Sequence, residues 1–303
     1  MQSPSDIRSG LIAAVSAYVL WGFLPVYFKF LSDFPPSMVL AHRIVWSVPT
    51  ALILIAMAGK MREMLGALRQ PRVLWALLLS ALAIAANWTI YIWAVMHGRV
   101  LEGSLGYFIN PLVSFLFAAL FFGERFRPLQ LAALGIAALG VINQAVFVGE
   151  FPWISLALAV SFAVYGAIRK RVAVDGRVGF GIEAGWLAPA AVIYLLFFTP
   201  AGMPTFGNHG PGLAALLLAA GPLTAAPLIL FAFGARRLRL STVAILQYIA
   251  PSIQFVIGIS TGEAFTSAHA VTFGLIWAGV ALFTFSAWRA DRKLHAATPA
   301  LAK

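Results

Sequence analysis

Ten stretches of about 20 mostly apolar residues follow one another along the chain, at 10–31, 37–58, 72–96, 102–122, 128–147, 151–170, 179–199, 211–234, 242–261 and 269–288. A helix rises about 1.5 Å per residue, so ~20 apolar residues match the ~30 Å hydrocarbon core of a bilayer. The residues are 61% hydrophobic and only 10% charged, and a water-soluble fold of that composition would expose large apolar patches. The breaks between stretches carry turn residues: Pro35-Pro36, Gly59-Lys60, Pro71, Gly123, Gly149 to Pro152, Asp175-Gly176, Pro200 to Pro211, and Thr266-Ser267. The first stretch is too long for a signal-peptide core and is expected to stay as a span. None alternates with period two, which argues against a barrel. The expectation is an all-α membrane protein of ten transmembrane helices.

Charge placement orients such a chain. With the N-terminus inside, every Lys and Arg except Lys29, Arg43 and Arg99 falls at a cytoplasmic loop or end. That is the asymmetry of the positive-inside rule, and it places both termini in the cytoplasm. The net charge of +11 is therefore explained by topology, since short basic clusters between apolar runs do not make a nucleic-acid groove. Cysteine is absent, so neither disulfides nor Cys-based metal sites arise.

The sequence also repeats itself. Glu102 to Phe126 carries Tyr107, Asn110 and Pro111, an apolar run, then Gly123-Glu124; Ser241 to Phe265 carries Tyr248, Pro251, an apolar run, then Gly262-Glu263. Pro111 and Pro251 stand 140 positions apart, as do Trp46 and Trp186, and Pro49 and Pro189. Two halves of five spans each, 1–148 and 149–295 with a short tail at 296–303, must enter the membrane from opposite sides. Arg125 and Arg127 after the first Gly-Glu pair, against Ala264 and Ser267 after the second, agree with that inversion. Inverted repeats are a recurring transporter architecture, with substrate held near the midplane.

Polar groups at membrane depth are costly and call for a role. Arg43 and Glu183 each precede their half's repeated proline by six residues. Arg43 reads as an anchor for substrate or a neighbouring helix, and Glu183 as a protonatable coupling site with H+ as the coupling ion. Both could instead snorkel to an interface. Asn87, Trp88, Tyr91, Tyr107, Asn110, Gln247 and Tyr248, with Thr224, Pro227 and Gln254, suit a pocket for an amphipathic organic molecule. Pro111 and Pro251 disturb the backbone beside that set, and the two stretches are expected to face each other across a shared cavity. Asn143 and Gln144 read as inter-helix contacts, Arg99–Glu102 as a local surface pair, and Glu124 and Glu263 as carboxylates bonded to backbone at helix–turn junctions. Small residues at Gly181–Gly185, Gly258–Gly262 and Gly274/Ala278 allow close helix approach and are compatible with a homodimer.

The motifs YFKF (Tyr27–Phe30), HRIVWS (His42–Ser47), NWTIYIWAV (Asn87–Val95), SLGYFINP (Ser104–Pro111), GERFRPLQ (Gly123–Gln130), YGAIRKR (Tyr165–Arg171) and RLRLSTVAILQYIAP (Arg237–Pro251) resemble the RarD branch of the EamA-type transporters, in the drug/metabolite transporter superfamily. The resemblance implies two inverted five-helix repeats around a central cavity lined by the first, third and fourth helices of each half. Tyr165 joins the cavity set on that basis.

The expected function is secondary active transport by alternating access, exporting a small amphipathic metabolite or drug across the bacterial inner membrane. No Walker loop, kinase signature or HExxH is present, so neither a cofactor nor an ATP motor is expected within the chain. A channel-like facilitator is the alternative. An intramembrane enzyme is less favoured, because His42, His97, His209, His269 and His295 are scattered.

Overall fold

A computed structural model describes residues 4–122, 127–199, 210–235, 237–238 and 240–297. The Gly123-Glu124 pair, Arg125, Arg236, Arg239, the break from Pro200 to His209, and Lys303 lie outside the described residues. The described chain is helical: α1 (Pro4–Lys29), α2 (Pro36–Met57), α3 (Met61–Ala67), α4 (Pro71–Met96), α5 (Val100–Phe122), α6 (Pro128–Asn143), α7 (Trp153–Arg171), α8 (Gly176–Ile193), α9 (Gly210–Ala235), α10 (Leu240–Leu246), α11 (Ile249–Ser260) and α12 (Ser267–Ala297). Single π-helical turns, Gln144–Val148 and Tyr194–Phe198, extend α6 and α8.

Among the described residues, eight helices contain stretches long and apolar enough to cross a membrane: α1, α2, α4, α5, α6, α8, α9 and α12. The helices α7 and α11 are apolar but shorter. The punctuation acts as its chemistry dictates. Pro36, Pro71 and Pro128 open α2, α4 and α6, where a missing N–H costs nothing. Gly59 and Gly98, at φ of 66° and 68°, close α2 and α4 in the left-handed conformation that a side chain would resist.

The two proline-bearing stretches behave differently. Helix α5 runs unbroken through Pro111. The corresponding stretch around Pro251 is split into α10 and α11, with a turn at Gln247 and Tyr248. Two features have no counterpart in the sequence reading. One is α3, a seven-residue helix between α2 and α4; the other is the pair of π turns.

Packing builds a compact set of neighbours. α1 lies against α9 and α11, α5 against α7 and α11, α4 against α7 and α8, α2 against α8 and α9, and α6 against α12. Large apolar side chains such as Met57, Leu120, Phe147, Leu196 and Phe197 point outward, as lipid contact requires. The interior instead collects polar groups: Ser47, Ser80, Asn87, Ser104, Ser155, Glu183, Thr224 and Thr272 are all buried. Close backbone approach makes this possible. At Gly221 of α9 the Trp46 carbonyl of α2 occupies the space a Cβ would need, and at Gly258 of α11 the Leu101 side chain of α5 would lie 2.8 Å from one. Gly181 meets Ile55 in the same way, whereas Gly185, Gly262 and Gly274 face open space.

Candidate functional site

One polar centre of the interior is built around Arg43 of α2. Its side chain is 5% exposed, so it does not snorkel. Its Nε donates to Thr224 Oγ1 of α9 at 2.9 Å. Its guanidinium carbon stands 4.3 Å from the ring centre of Trp88 on α4 and 5.6 Å from that of Phe28 on α1, both within cation–π range. The phenols of Tyr107, Tyr27 and Tyr91 are the ionisable groups it feels. No carboxylate among the described residues pairs with it, and Arg43 Nη1 is buried without a hydrogen-bond partner.

The aromatic set is tied together through Asn87. Its Nδ2 donates to the Leu158 carbonyl and to Ser161 Oγ of α7, each at 3.0 Å, and its Oδ1 accepts from the Tyr107 hydroxyl at 3.2 Å. Asn87 thus locks α4, α5 and α7 at one point. Tyr91 packs edge-on against Tyr107 and Phe28, with ring centres at 5.4 and 6.1 Å, and its buried hydroxyl has no partner. Tyr27 spans to α9 by donating to the Leu216 carbonyl at 2.9 Å.

A second polar cluster surrounds Glu183 of α8. Ser80 Oγ of α4 donates to Glu183 Oε1 at 2.6 Å. The Tyr165 hydroxyl bonds the same carboxylate, and Arg169 Nη1 lies 3.7 Å from Oε1. Glu183 is 2% exposed. It does not snorkel: the structure surrounds it with two hydroxyls and a guanidinium. Arg169 comes from the basic end of α7, and its guanidinium fills the space beside Gly179, where any side chain on α8 would displace it.

Of the residues singled out in the sequence, Arg43, Asn87, Trp88, Tyr91 and Tyr107 come together, and Tyr165 joins Glu183. Asn110 bonds within its own helix, accepting from Ser114 Oγ at 3.2 Å. Tyr248 packs against Phe108 and shares a cleft with Trp277, outside the set that surrounds Arg43. The Tyr107–Pro111 and Gln247–Pro251 stretches meet by direct packing: Ser104 Oγ donates to the Pro251 carbonyl at 2.8 Å, and the Phe108 and Tyr248 rings stack at 6.2 Å. Tyr248 lines a cleft of about 720 Å³ between α10–α11 and α12, with Trp277 and Thr284. The proximity of Phe28, Tyr27, Ser80 and Arg169 to these two centres had no signal in the sequence beyond their residue types.

Several secondary expectations are met in the geometry. Asn143 Nδ2 donates to the Ala268 carbonyl and Thr272 Oγ1 of α12, at 2.8 and 2.9 Å. Glu263 accepts from the backbone N–H groups of Val100 and Leu101 at 2.7 and 2.8 Å, so a carboxylate of the α11–α12 turn caps α5. Arg99 pairs with Glu102 and also reaches Glu150 at 2.6 Å.

A helical bundle with apolar outer faces and two charged centres in a polar interior defines a multi-pass membrane protein. The sequence profile of the EamA-like transporter family matches residues 8–143. A Vibrio cholerae protein described as an uncharacterized transporter is 40% identical over 96% of both chains. Protein RarD of Salmonella typhi is 40% identical over 94% of this chain and 98% of its own. The chain belongs to the EamA-like transporter family, in its RarD branch. A solved crystal structure superposes with a TM-score of 0.62 over 92% of this chain and 98% of its own, at 23% identity, a likeness of fold alone.

Proposed function

We propose that this membrane transporter is a secondary active one, which exports a small amphipathic organic molecule across the bacterial inner membrane by alternating access between two inverted five-helix halves, 1–148 and 149–295. The observation that carries this reading is the packing pattern. Exchanging α1 with α7, α2 with α8, α4 with α9, α5 with α10–α11 and α6 with α12 turns the main contacts into one another. The α1–α9 contact becomes α7–α4, α1–α11 becomes α7–α5, and α2–α9 becomes α8–α4; α2–α8, α5–α11 and α6–α12 map onto themselves. A bundle with that exchange property has two related arrangements of the same contacts, which is what alternating access needs.

In this reading the ten apolar stretches all span, with α10 and α11 together forming one span, and both termini are cytoplasmic. The aromatic group around Arg43 holds substrate from the outer half, and Glu183 carries the coupling proton from the inner half. The Glu183 cluster suits the second role because its hydroxyls and Arg169 give the carboxylate alternative partners in its two protonation states. Counterflow in proteoliposomes tests the proposal: preloaded solute should accelerate entry of its labelled copy. Absence of exchange for every solute in a metabolite screen, or a continuous single-channel current, would overturn it.

A further inference from the structure

Arg43 presents an unfinished electrostatic arrangement. A guanidinium stays protonated in proteins, so its positive charge is fixed in the interior of the bundle. Thr224 uses one of its five N–H groups. The faces of Trp88 and Phe28 give partial compensation, yet Nη1 is left buried and unpartnered, and so is the Tyr91 hydroxyl. Two donors without acceptors, in one aromatic enclosure, are the complement of a ligand that brings acceptors and a negative charge.

The enclosure also limits the charge of that ligand. Among the described residues the ionisable groups acting on Arg43 are the phenols of Tyr107, Tyr27 and Tyr91, so a monoanion neutralises the single cation, whereas a dianionic phosphate would leave a net negative charge in a low-dielectric interior. A carboxylate matches the planar fork of the guanidinium edge-on, and the half-buried ring of Trp88 offers apolar area to whatever the carboxylate is attached to. Resting on the transporter reading above, we propose that the Arg43 site takes an organic monocarboxylate, with its carboxylate on Arg43 Nη1 and the Tyr91 hydroxyl and its apolar body against Trp88.

The test is binding to the full-length protein in lipid nanodiscs, read by thermal shift. The probes are benzoate, phenylacetate, 3-phenylpropionate, indole-3-acetate and 4-methylpentanoate, each beside its own primary amide, with inorganic phosphate and chloride as controls. At least one acid should stabilise the protein with an apparent affinity about tenfold above its amide, the scale of one charge-assisted hydrogen bond. Arg43→Gln should erase that preference, Arg43→Lys should keep part of it, and Tyr91→Phe should weaken acid binding severalfold. The proposal is overturned if no acid stabilises, if acids and amides act alike, if phosphate or chloride matches the best acid, or if the preference survives Arg43→Gln. Should Arg43→Gln fail to fold, an undiminished acid preference in Tyr91→Phe overturns it. The assay reads binding alone. Acids that bind but are never exchanged would sink the transport reading and leave this one, whereas exchange confined to neutral solutes would do the reverse.

Discussion

Arg43 and Glu183 lie at matched places, six residues ahead of Pro49 on α2 and Pro189 on α8, and no ion pair joins them. Each is instead held by a hydroxyl from the opposite half of the chain: Arg43 by Thr224 of α9, Glu183 by Ser80 of α4. A buried carboxylate with hydroxyl partners can change protonation without losing its place, which a tight ion pair would forbid. Glu183→Gln is therefore expected to preserve membrane insertion and flatten the pH dependence of solute uptake. Wild-type pH dependence in Glu183→Gln vesicles would remove the proton-coupling role.

Asn87 joins three helices through one side chain. Interhelical hydrogen bonds within membranes contribute roughly 0.6 kcal/mol each, so Asn87→Ala should destabilise the bundle by about 2 kcal/mol. Tyr107→Phe removes only the hydroxyl contact and should leave stability near wild type while impairing transport. Denaturant titration in mixed micelles, with uptake measured in parallel, separates the two.

The Glu263 carboxylate closes the N-terminus of α5 from the far end of the chain. Glu263→Ala leaves the Val100 and Leu101 N–H groups without that acceptor. The loss of a cap costs about 1 kcal/mol, and the α5–α11 contact should loosen locally. Faster amide exchange at residues 100–103 is the expected signature. Unchanged exchange there would show that the carboxylate does not hold this end shut.

At Gly221 the α2 and α9 backbones come too close for any side chain, since the Trp46 carbonyl occupies the position of a Cβ. Gly221→Val should displace α2 and cost about 1–3 kcal/mol or more by overpacking, seen as lost monodisperse protein in detergent. Gly274→Ala, at an open position, is the matched control and should behave as wild type.

Outside the membrane-spanning segments, Glu63 of α3 bonds Lys60 Nζ at 2.9 Å and the Asp175 backbone N–H at 2.7 Å. Its side-chain bond to Lys60 comes first, and its backbone bond to Asp175 second, in holding its carboxyl below the ordinary carboxylate range. A depressed folded value stabilises the protein above the unfolded pKa of about 4.3, and that stability fades as pH falls below it. Glu63→Gln should lower the melting temperature at pH 7 and lose its effect in acid. An effect constant from pH 7 to pH 3 would contradict the linkage.

Much of the fold is legible because lipid imposes a simple code. Each of the ten apolar stretches lies on helix to within a few residues, with the ninth broken into α10 and α11. The ends are less legible: α1 begins at Pro4 and α12 continues to Ala297, because their polar terminal turns carry no apolar signal. The seven residues of α3 are too few to show a helical period. At the site, Arg43 and Asn87 were visible as polar groups at depth, but their partners were not. Thr224 stands 181 positions from Arg43, and Leu158 stands 71 from Asn87; only folding makes them neighbours. Arg169 shows the limit best. Its place beside a loop reads as a topology signal, while its side chain turns inward along α7 to Glu183.

The turn at Gln247 and Tyr248 divides one long element in two, while its partner α5 passes its own proline without interruption. On the inverted-repeat reading, two arms cut from one pattern are thus caught in different postures, one flexed and one straight. A carrier whose arms matched would have no reason to face either side of the membrane. On the proposed alternating-access cycle, the resting direction would follow from which arm bends, and reversing it would straighten the elbow at Tyr248 while α5 acquires one near Tyr107.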